Sequence, residues 1–242
     1  METSAERLIM QDNKDISCMF SSIARKYDLA NDIMSIGLHR YWKRKLVKTI
    51  LIADGYEVYD FCSGTGDVAF LLSREYGDRI NLNCVDFSNR MLSLAELKVG
   101  SKKANYINCD ITGLPLNDQS ADVLVVSFGL RNINDLDGAI TEIYRVLKYG
   151  SKVYILEFIN IKPSLFNWHL RFYINKISPI LGRLVTGIKE AFRYLPYSIK
   201  KYPDLETMSG KLINAGFKRV DNLRLFPGIV SIQIAIKRLM EE

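Results

Sequence analysis

Tyr59-Asp60-Phe61-Cys62-Ser63-Gly64-Thr65-Gly66-Asp67 decides how this chain folds. The run from Glu57 to Phe61 is apolar enough for a buried strand, and Val68-Ala69-Phe70-Leu71-Leu72 begins a helical pattern. Between them lies a loop of small residues, so the stretch reads as strand, glycine turn and helix. Glycine belongs where a ligand must approach the backbone and a Cβ would block it. Gly64-x-Gly66-x-x-Ala69 satisfies the loose dinucleotide pattern G-x-G-x-x-G/A. The charges point elsewhere. A pyrophosphate needs a helix N-terminus clear of carboxylates, and here Asp60 and Asp67 flank the loop. Such a loop suits a ligand with positive charge.

Outward from the loop, strands and helices alternate. Ile80–Asp86 reads as a second strand, residues 88–99 as a helix with Ser88 as N-cap, and Asn105–Cys109 as a third strand. Residues 121–127, Ala-Asp-Val-Leu-Val-Val-Ser, form a nearly continuous apolar strand, as expected where both faces of a parallel sheet are covered. Residues 135–147 read as a helix closed by Gly150, and 152–158 as a fifth strand. A helix over 205–215, stopped by Gly216, precedes strands at 217–225 and 228–236. So little chain separates the last two that they pair antiparallel. Five parallel strands finished by a hairpin form the usual methyltransferase ending, whereas an NAD domain more often continues in parallel. S-adenosylmethionine, with its sulfonium and ammonium, is the cation that fits.

The expected fold is therefore α/β: a Rossmann-like class I methyltransferase, dependent on S-adenosylmethionine, with a seven-stranded, mostly parallel sheet and an antiparallel C-terminal strand. Residues 1–242 read as one domain. Helices in 1–53 form an N-terminal cap, 54–160 and 201–242 form the core, and 161–200 form a helical insertion or lid. Residues 1–16 read as a polar tail. Beyond them, apolar residues at helical spacing (Met19, Phe20, Ile23, Tyr27, Ile33, Ile36, Leu38, Trp42, Leu46, Val47, Ile50, Leu51) predict two or three helices.

Composition sets outer limits. The 242 residues are 48% hydrophobic and 25% charged, as in an ordinary folded protein. Four scattered cysteines, no C-x-x-C and two histidines suggest neither a zinc site nor a disulfide framework. No metal is expected, and the expected location is the reduced cytoplasm. The first residues are acidic and polar, unlike a secretory leader. The net charge of +6 comes from 33 basic and 27 acidic residues. No acidic residue lies between Glu157 and Glu190, a stretch that holds Lys162, Arg171, Lys176, Arg183 and Lys189. Residues 160–200 carry Phe166, Trp168, Phe172, Tyr173, Phe192, Tyr194 and Tyr197, punctuated by Pro179 and Pro196, with Pro203 beyond. Its basic residues either rest on anionic headgroups or form a solvated face of a packed subdomain. No nucleic-acid motif is present.

Site residues follow from the strand ends. Asp86, at the end of the second strand, accepts from both ribose hydroxyls or caps the following helix. Asp110, with Ile111 beside it, falls at the expected adenine edge. Ser127 ends the fourth strand, where ligands gather in open α/β sheets, or is simply a small strand residue. Thr65 donates to a cofactor carboxylate or caps the helix near Asp67. Asp60, Gly64 and Gly66 complete the cofactor set.

Beyond the loop, Phe20-x-x-Ile23-Ala24-x-x-Tyr27-Asp28-x-x-Asn31-Asp32-x-x-Ser35-x-Gly37-x-His39-Arg40-x-Trp42 resembles the N-terminal signature of the ubiquinone/menaquinone biosynthesis C-methyltransferases. Ser127-Phe128-Gly129-Leu130-Arg131-Asn132 resembles their central motif. Arg145-Val146-Leu147-Lys148, Leu156-Glu157-Phe158, Ser178-Pro179-x-Leu181-Gly182, Tyr194-Leu195-Pro196-x-Ser198-Ile199, Ala215-Gly216-Phe217 and Gly228-Ile229-Val230 extend the likeness over nearly the whole chain. Asp110-Ile111 departs from a common Asn-Ala pair, and Tyr149-Gly150-Ser151 from a Pro-Gly-Gly turn.

The resemblance implies methylation of a ring carbon of a polyprenylated quinol by S-adenosylmethionine. The quinol is demethylmenaquinol or a polyprenyl benzoquinol. The former is favoured because menaquinone pathways need a single family member for ring methylation. The family's cofactor positions fall on Thr65, Asp86, Asp110-Ile111 and Ser127. Arg131 is the candidate to stabilise a developing phenolate, or it pairs with Asp135 or Asp137 on the surface. Asn132 would orient the oxygen or a water. Tyr27 serves proton transfer or substrate contact, or is a packed aromatic. His39 is a candidate for the same roles but reads more readily as structural than catalytic, and stays outside the catalytic set. A transient contact with the inner face of the membrane and a homo-oligomer complete the expected partners, with no nucleic acid among them.

Overall fold

The computed structural model describes residues 13–160, 168–187 and 189–240. The stretch 1–12, Lys162 and Phe166 lie outside the described residues, as do the side chains of Cys18, Met19, Lys189, Glu190 and Phe192.

Seven strands lie side by side: β1 (Tyr56–Phe61), β2 (Ile80–Asp86), β3 (Asn105–Asn108), β4 (Ala121–Ser127), β5 (Leu147–Phe158), β6 (Phe217–Leu225) and β7 (Val230–Lys237). Their order is β3-β2-β1-β4-β5-β7-β6. Strands β1 to β5 pair in parallel, and β7 runs antiparallel to both β5 and β6. The hairpin thus folds β7 back between β5 and β6, the Rossmann-like methyltransferase sheet expected from the terminal pair.

Alternation along β4 shows why its sequence is apolar throughout. Val123 and Val125 join a core with Trp42, Leu46, Leu72 and Leu92 on one face of the sheet. Leu124 and Val126 join a second core with Ile140, Ile143, Met208 and Leu212 on the other. Burying both faces leaves no position for the polar residues of a half-exposed strand.

The described N-terminal region holds two helices, α1 (Asn13–Ser35) and α2 (Leu38–Thr49). Helix therefore begins by Asn13, and residues 13–16 are not tail. Gly37, at φ 74°, turns the chain between the helices. Ile36 falls in the turn between the helices, and Ile50 and Leu51 lie past the end of α2. Trp42, Leu46 and Val47 are buried, whereas Ile36 and Leu51 are 75% and 73% exposed. Helix α3 (Asp67–Tyr76) follows β1, α4 (Asn89–Val99) follows β2, and α5 (Leu136–Val146) follows β4. Ser88 caps α4, its hydroxyl accepting from the Met91 amide at 3.3 Å.

One boundary differs from expectation. Gly150 does not close α5; the chain becomes extended at Leu147 and enters β5 directly. Gly150, at φ 75°, lies where the β4–β5 register shifts between Ala121 and Val123, so its left-handed conformation serves a strand irregularity. The insertion contains α6 (Trp168–Phe172), a π-turn (Tyr173–Ile177), α7 (Ser178–Thr186) and α8 (Lys189–Lys201). Pro179 occupies the first turn of α7, where it has no intrahelical donor to lose. Pro196 lies inside α8 without ending it. Helix α9 (Leu205–Asn214) leads through Gly216 into β6.

Candidate active site

Strand order reverses between β2-β1 and β4-β5, and the loops at that edge enclose two adjoining cavities of about 90 and 390 Å³. This is the crevice where open α/β sheets bind ligands. Gly64, Asp86, Asp110, Ile111, Ser127 and Asn132 line the smaller cavity. Asp60, Thr65, Arg131, Tyr194 and the ring of His39 line the larger one. Tyr27, Gly64 and Ser127 border both, so α1 forms a wall of each.

The two loop glycines have different physical reasons. A Cβ on Gly64 would meet nothing within 4 Å, leaving open space for a ligand, although φ is 56°. A Cβ on Gly66 would lie 2.8 Å from the Ala95 Cβ. Gly66 is therefore required by the close packing of the loop on α4, and only Gly64 suits approach by a ligand.

The two flanking acids also separate. Asp67 accepts from Lys43 at 2.7 Å and from Lys98 at 2.6 Å. Burial alone would raise its pKa, but the two ammonium groups hold it below the usual carboxylate range. Its charge is already balanced, so Asp67 does not make the loop attractive to a cation. Asp60 is 1% exposed; one oxygen accepts from the Ala69 amide at 3.1 Å and Oδ1 has no partner. Burial pushes its carboxyl up to about 7.

Thr65 caps nothing. Its hydroxyl donates to Asp28 on α1 at 2.6 Å and accepts from Lys98 at 3.2 Å. It belongs to a network of Asp28, Lys98, Asp67 and Lys43 that ties α1 to the glycine loop. Asp86 accepts from the Gly64 amide and the Ser88 amide, each at 2.9 Å. The carboxylate so shapes the loop, with a lone pair left on each oxygen, and burial raises its pKa. Asp110 accepts from the Thr112 amide and hydroxyl, and Ile111 is 5% exposed beside it.

Arg131 does not reach Asp135 or Asp137. Asp135 caps α5, and Asp137 pairs with Lys211. Arg131 is instead buried with Glu157, NH1 to Oε1 at 2.8 Å, and also donates to the Phe128 carbonyl. Its guanidinium lies 5.7 Å from the Phe128 ring and 5.4 Å from Phe158, within cation–π range. Glu157 escaped sequence reasoning as a site residue. The signal was a carboxylate near the end of an apolar strand, in register beside Ser127–Leu156. Burial pushes the Glu157 carboxyl up, and Arg131 pulls it back. Tyr27 packs edge-on against Phe20 at 5.9 Å while lining both cavities.

Seven buried side-chain polar atoms lack a partner among the described residues. Six belong to cavity-lining residues: His39 Nδ1, Asp60 Oδ1, Ser63 Oγ, Ser127 Oγ, Arg131 Nε and Asn132 Oδ1. Unsatisfied buried groups are costly and rare in a finished interior, so their concentration here marks a site built for a polar ligand.

The chain matches the model of the ubiE/COQ5 methyltransferase family over residues 8–237. It belongs to that family. Among its relatives, the Ubiquinone/menaquinone biosynthesis C-methyltransferase UbiE of Xanthomonas axonopodis pv. citri is 40% identical over 90% of this chain and 88% of its own. The protein of the same name from Shewanella woodyi is 35% identical over 92% and 90%. Solved structures share the fold at lower identity. A putative S-adenosyl-L-methionine-dependent methyltransferase from Methanococcus maripaludis has TM-score 0.63 and 17% identity, covering 92% of this chain and 94% of its own. A possible histamine N-methyltransferase from Thermotoga maritima has TM-score 0.64 and 18% identity, covering 91% and 100%. For a member of the ubiE/COQ5 family, the buried Arg131–Glu157 pair and the two-lobed cavity are the features from which acceptor chemistry is to be read.

Proposed function

We propose that this family member transfers the methyl group of S-adenosylmethionine to a ring carbon of a polyprenylated quinol, with demethylmenaquinol as the acceptor. The observation that carries the reading is the cluster of six unpartnered polar atoms where two cavities meet. Asp60, Gly64, Ser63 and Ser127 fit a cationic, polyfunctional donor: carboxylate, open backbone, and two hydroxyls without partners. Asp86, Asp110 and Ile111 suit its nucleoside end in the smaller cavity. Bound S-adenosylmethionine supplies an electrophilic methyl on its sulfonium.

The larger cavity suits the acceptor. Phe158 and Arg131 mark its polar-aromatic end, and Met34, Leu170, Ile174, Leu195 and Ile199 supply an apolar arm for a prenyl tail. Glu157 offsets the charge of Arg131, so the guanidinium acts chiefly by aiming fixed N–H dipoles at a developing phenolate. Its Nε has no partner among the described residues and is the group available for that hydrogen bond. Asn132 Oδ1 can hold the acceptor hydroxyl or a water, and Tyr27 lies between donor and acceptor lobes. The choice of demethylmenaquinol rests on the pathway argument above.

Membrane contact belongs to the same reading. On α6 and α7, Trp168, Phe172, Ile180 and Leu184 are exposed, with Arg171, Arg183 and, in the intervening π-turn, Lys176 among them. An apolar surface with basic residues complements an anionic bilayer from which a prenylated substrate is drawn. No helix among the described residues is long and apolar enough to cross a membrane.

The deciding assay supplies S-adenosylmethionine with demethylmenaquinol or polyprenyl benzoquinol under reducing conditions and follows C-methylated product by mass. Methylation of the naphthoquinol is expected; donor binding with neither quinol methylated would overturn the reading. Sedimentation with phosphatidylglycerol vesicles at low salt tests the surface, and absence of binding removes it.

A further inference from the structure

Replacing a ring hydrogen by methyl breaks one C–H bond and releases one proton, and of the groups assigned above only Tyr27, which borders both lobes, is a candidate to receive it. Asp60 lines the larger cavity, but its carboxylate serves the cationic donor. Glu157 is occupied by Arg131 and by the Phe158 amide at 2.8 Å. His169, the other histidine, also borders the larger cavity, but it is exposed on α6 beside Trp168, whereas His39 is buried against Asp32.

Resting on the proposed ring methylation, we propose that His39, oriented by Asp32, is the base that takes the ring proton. The turn between α1 and α2 sets the geometry. The Gly37 amide donates to the Asp32 carbonyl at 2.8 Å, and the His39 amide donates to Ser35 Oγ at 3.2 Å. This folds the end of α1 back so that Asp32 Oδ1 lies 2.8 Å from His39 Nε2. Arg40 grips the same carboxylate from both sides, Nε to Oδ1 and NH2 to Oδ2 at 2.5 Å each. The Arg40 hydrogen bonds hold Asp32 down to about 2, so it is ionised at any working pH.

An ionised carboxylate accepts and never donates. Nε2 must therefore carry the ring proton, and a neutral imidazole then has its lone pair on Nδ1. Nδ1 is the one polar ring atom without a partner, on a ring that is 5% exposed and lines the acceptor cavity with Arg131 and Phe158. Burial and the nearby Lys43 lower the ring's pKa, which keeps it neutral and able to accept. In the step, the C–H electron pair returns to the ring and restores aromaticity while the proton passes to Nδ1. The imidazolium is stabilised by Asp32 and loses its proton to water after product leaves. Asp32 is a positioning residue.

The charged groups acting on the ring are Lys43 on the same helix, Asp32 on α1 and Asp67 on α3; Tyr27, Asp60, Arg131, His169, Tyr173 and Tyr194 line the same cavity. Asp60 titrates near neutrality in the free protein. The pH dependence is therefore read in kcat, on the complex saturated with donor.

The experiment has two arms. In the free protein, imidazole nitrogen NMR should show the Nε2–H tautomer for His39 and a pKa below 6.5; an Nδ1–H tautomer overturns the proposal. In turnover with ring-deuterated demethylmenaquinol, His39→Gln should lower kcat roughly 100-fold or more. It should also raise the deuterium effect and abolish the acid limb of the kcat profile, with donor affinity by calorimetry within about twofold. Asp32→Asn should shift the tautomer and the limb together. An unchanged deuterium effect with the acid limb intact overturns the assignment. If His39→Gln fails to fold, the tautomer and the wild-type acid limb decide. Wild-type protein that binds donor but methylates no quinol removes the functional reading, and this inference with it, whatever the tautomer.

Discussion

Glu157→Leu tests whether Arg131 is a buried, charge-balanced group or a free surface cation. The two side chains are 7% and 3% exposed and meet at 2.8 Å. Removing one member of such a pair leaves a desolvated charge, at about 3–5 kcal/mol. With about 2–4 °C per kcal/mol in a chain of this size, the melting temperature should fall by about 6–20 °C. Arg131→Met should cost a similar amount, because Glu157 then loses its counter-ion while still accepting from Phe158. The pair Arg131→Met with Glu157→Leu should recover most of the loss, because apolar replacement of a whole buried pair is often close to neutral. Urea unfolding of the four proteins gives the coupling energy. The recovered double variant should nevertheless methylate no quinol while still binding S-adenosylmethionine. Single variants within about 0.5 kcal/mol of wild type, the range of ordinary surface changes, would refute the buried-pair argument.

Other expectations concern the glycine loop and the buried acids. Gly66→Ala places a Cβ 2.8 Å from Ala95 Cβ at φ 78°. Overpacking should cost about 1–3 kcal/mol, measured by urea unfolding. Gly64→Ala meets no atom within 4 Å, so its stability loss should stay near the roughly 1–2 kcal/mol of a left-handed residue while donor affinity by calorimetry falls. Asp60 has a folded pKa of about 7, above its unfolded value near 3.8. Its contribution to stability is thus complete below about pH 4 and is lost as pH rises through 7. A cationic donor favours the ionised form, so binding should release a proton below pH 7 and tighten with pH; calorimetry in two buffers of different ionisation heat reads this, and Asp60→Asn should abolish it. Asp32 has the opposite sign: its folded pKa of about 2 means its contribution is present above about pH 4 and fades as pH falls towards 2. Asp32→Asn should flatten that part of the acid unfolding curve.

Much of the sheet was legible because its signals are local. The limits of β2 and β4 could be read from apolar runs bounded by polar residues, and Ser88 from the cap chemistry before α4. Gly150 misled because a left-handed glycine after a helix usually ends it, whereas here it relieves the β4–β5 register. Ile36 fits the helical spacing yet lies in the left-handed turn before Gly37, because spacing alone does not mark where one helix ends and the next begins.

In the site, chain order was enough to place the strand-end residues: Asp60, Asp86, Asp110, Ser127 and the glycine loop converge because parallel strands end at one edge. Partnership was decided by tertiary structure. Asp67 and Asp60 are equivalent on paper, yet Lys43 and Lys98 neutralise the first and leave the second with a vacant oxygen. Arg131 has aspartates four and six residues away and instead finds Glu157 across the sheet. His39 changes from a packed ring to a candidate base because the turn at Gly37 brings Asp32 to it and the fold sets it against the acceptor cavity. Which residues carry charge is written in the chain; which charges remain uncompensated depends on long-range contacts that no local pattern encodes.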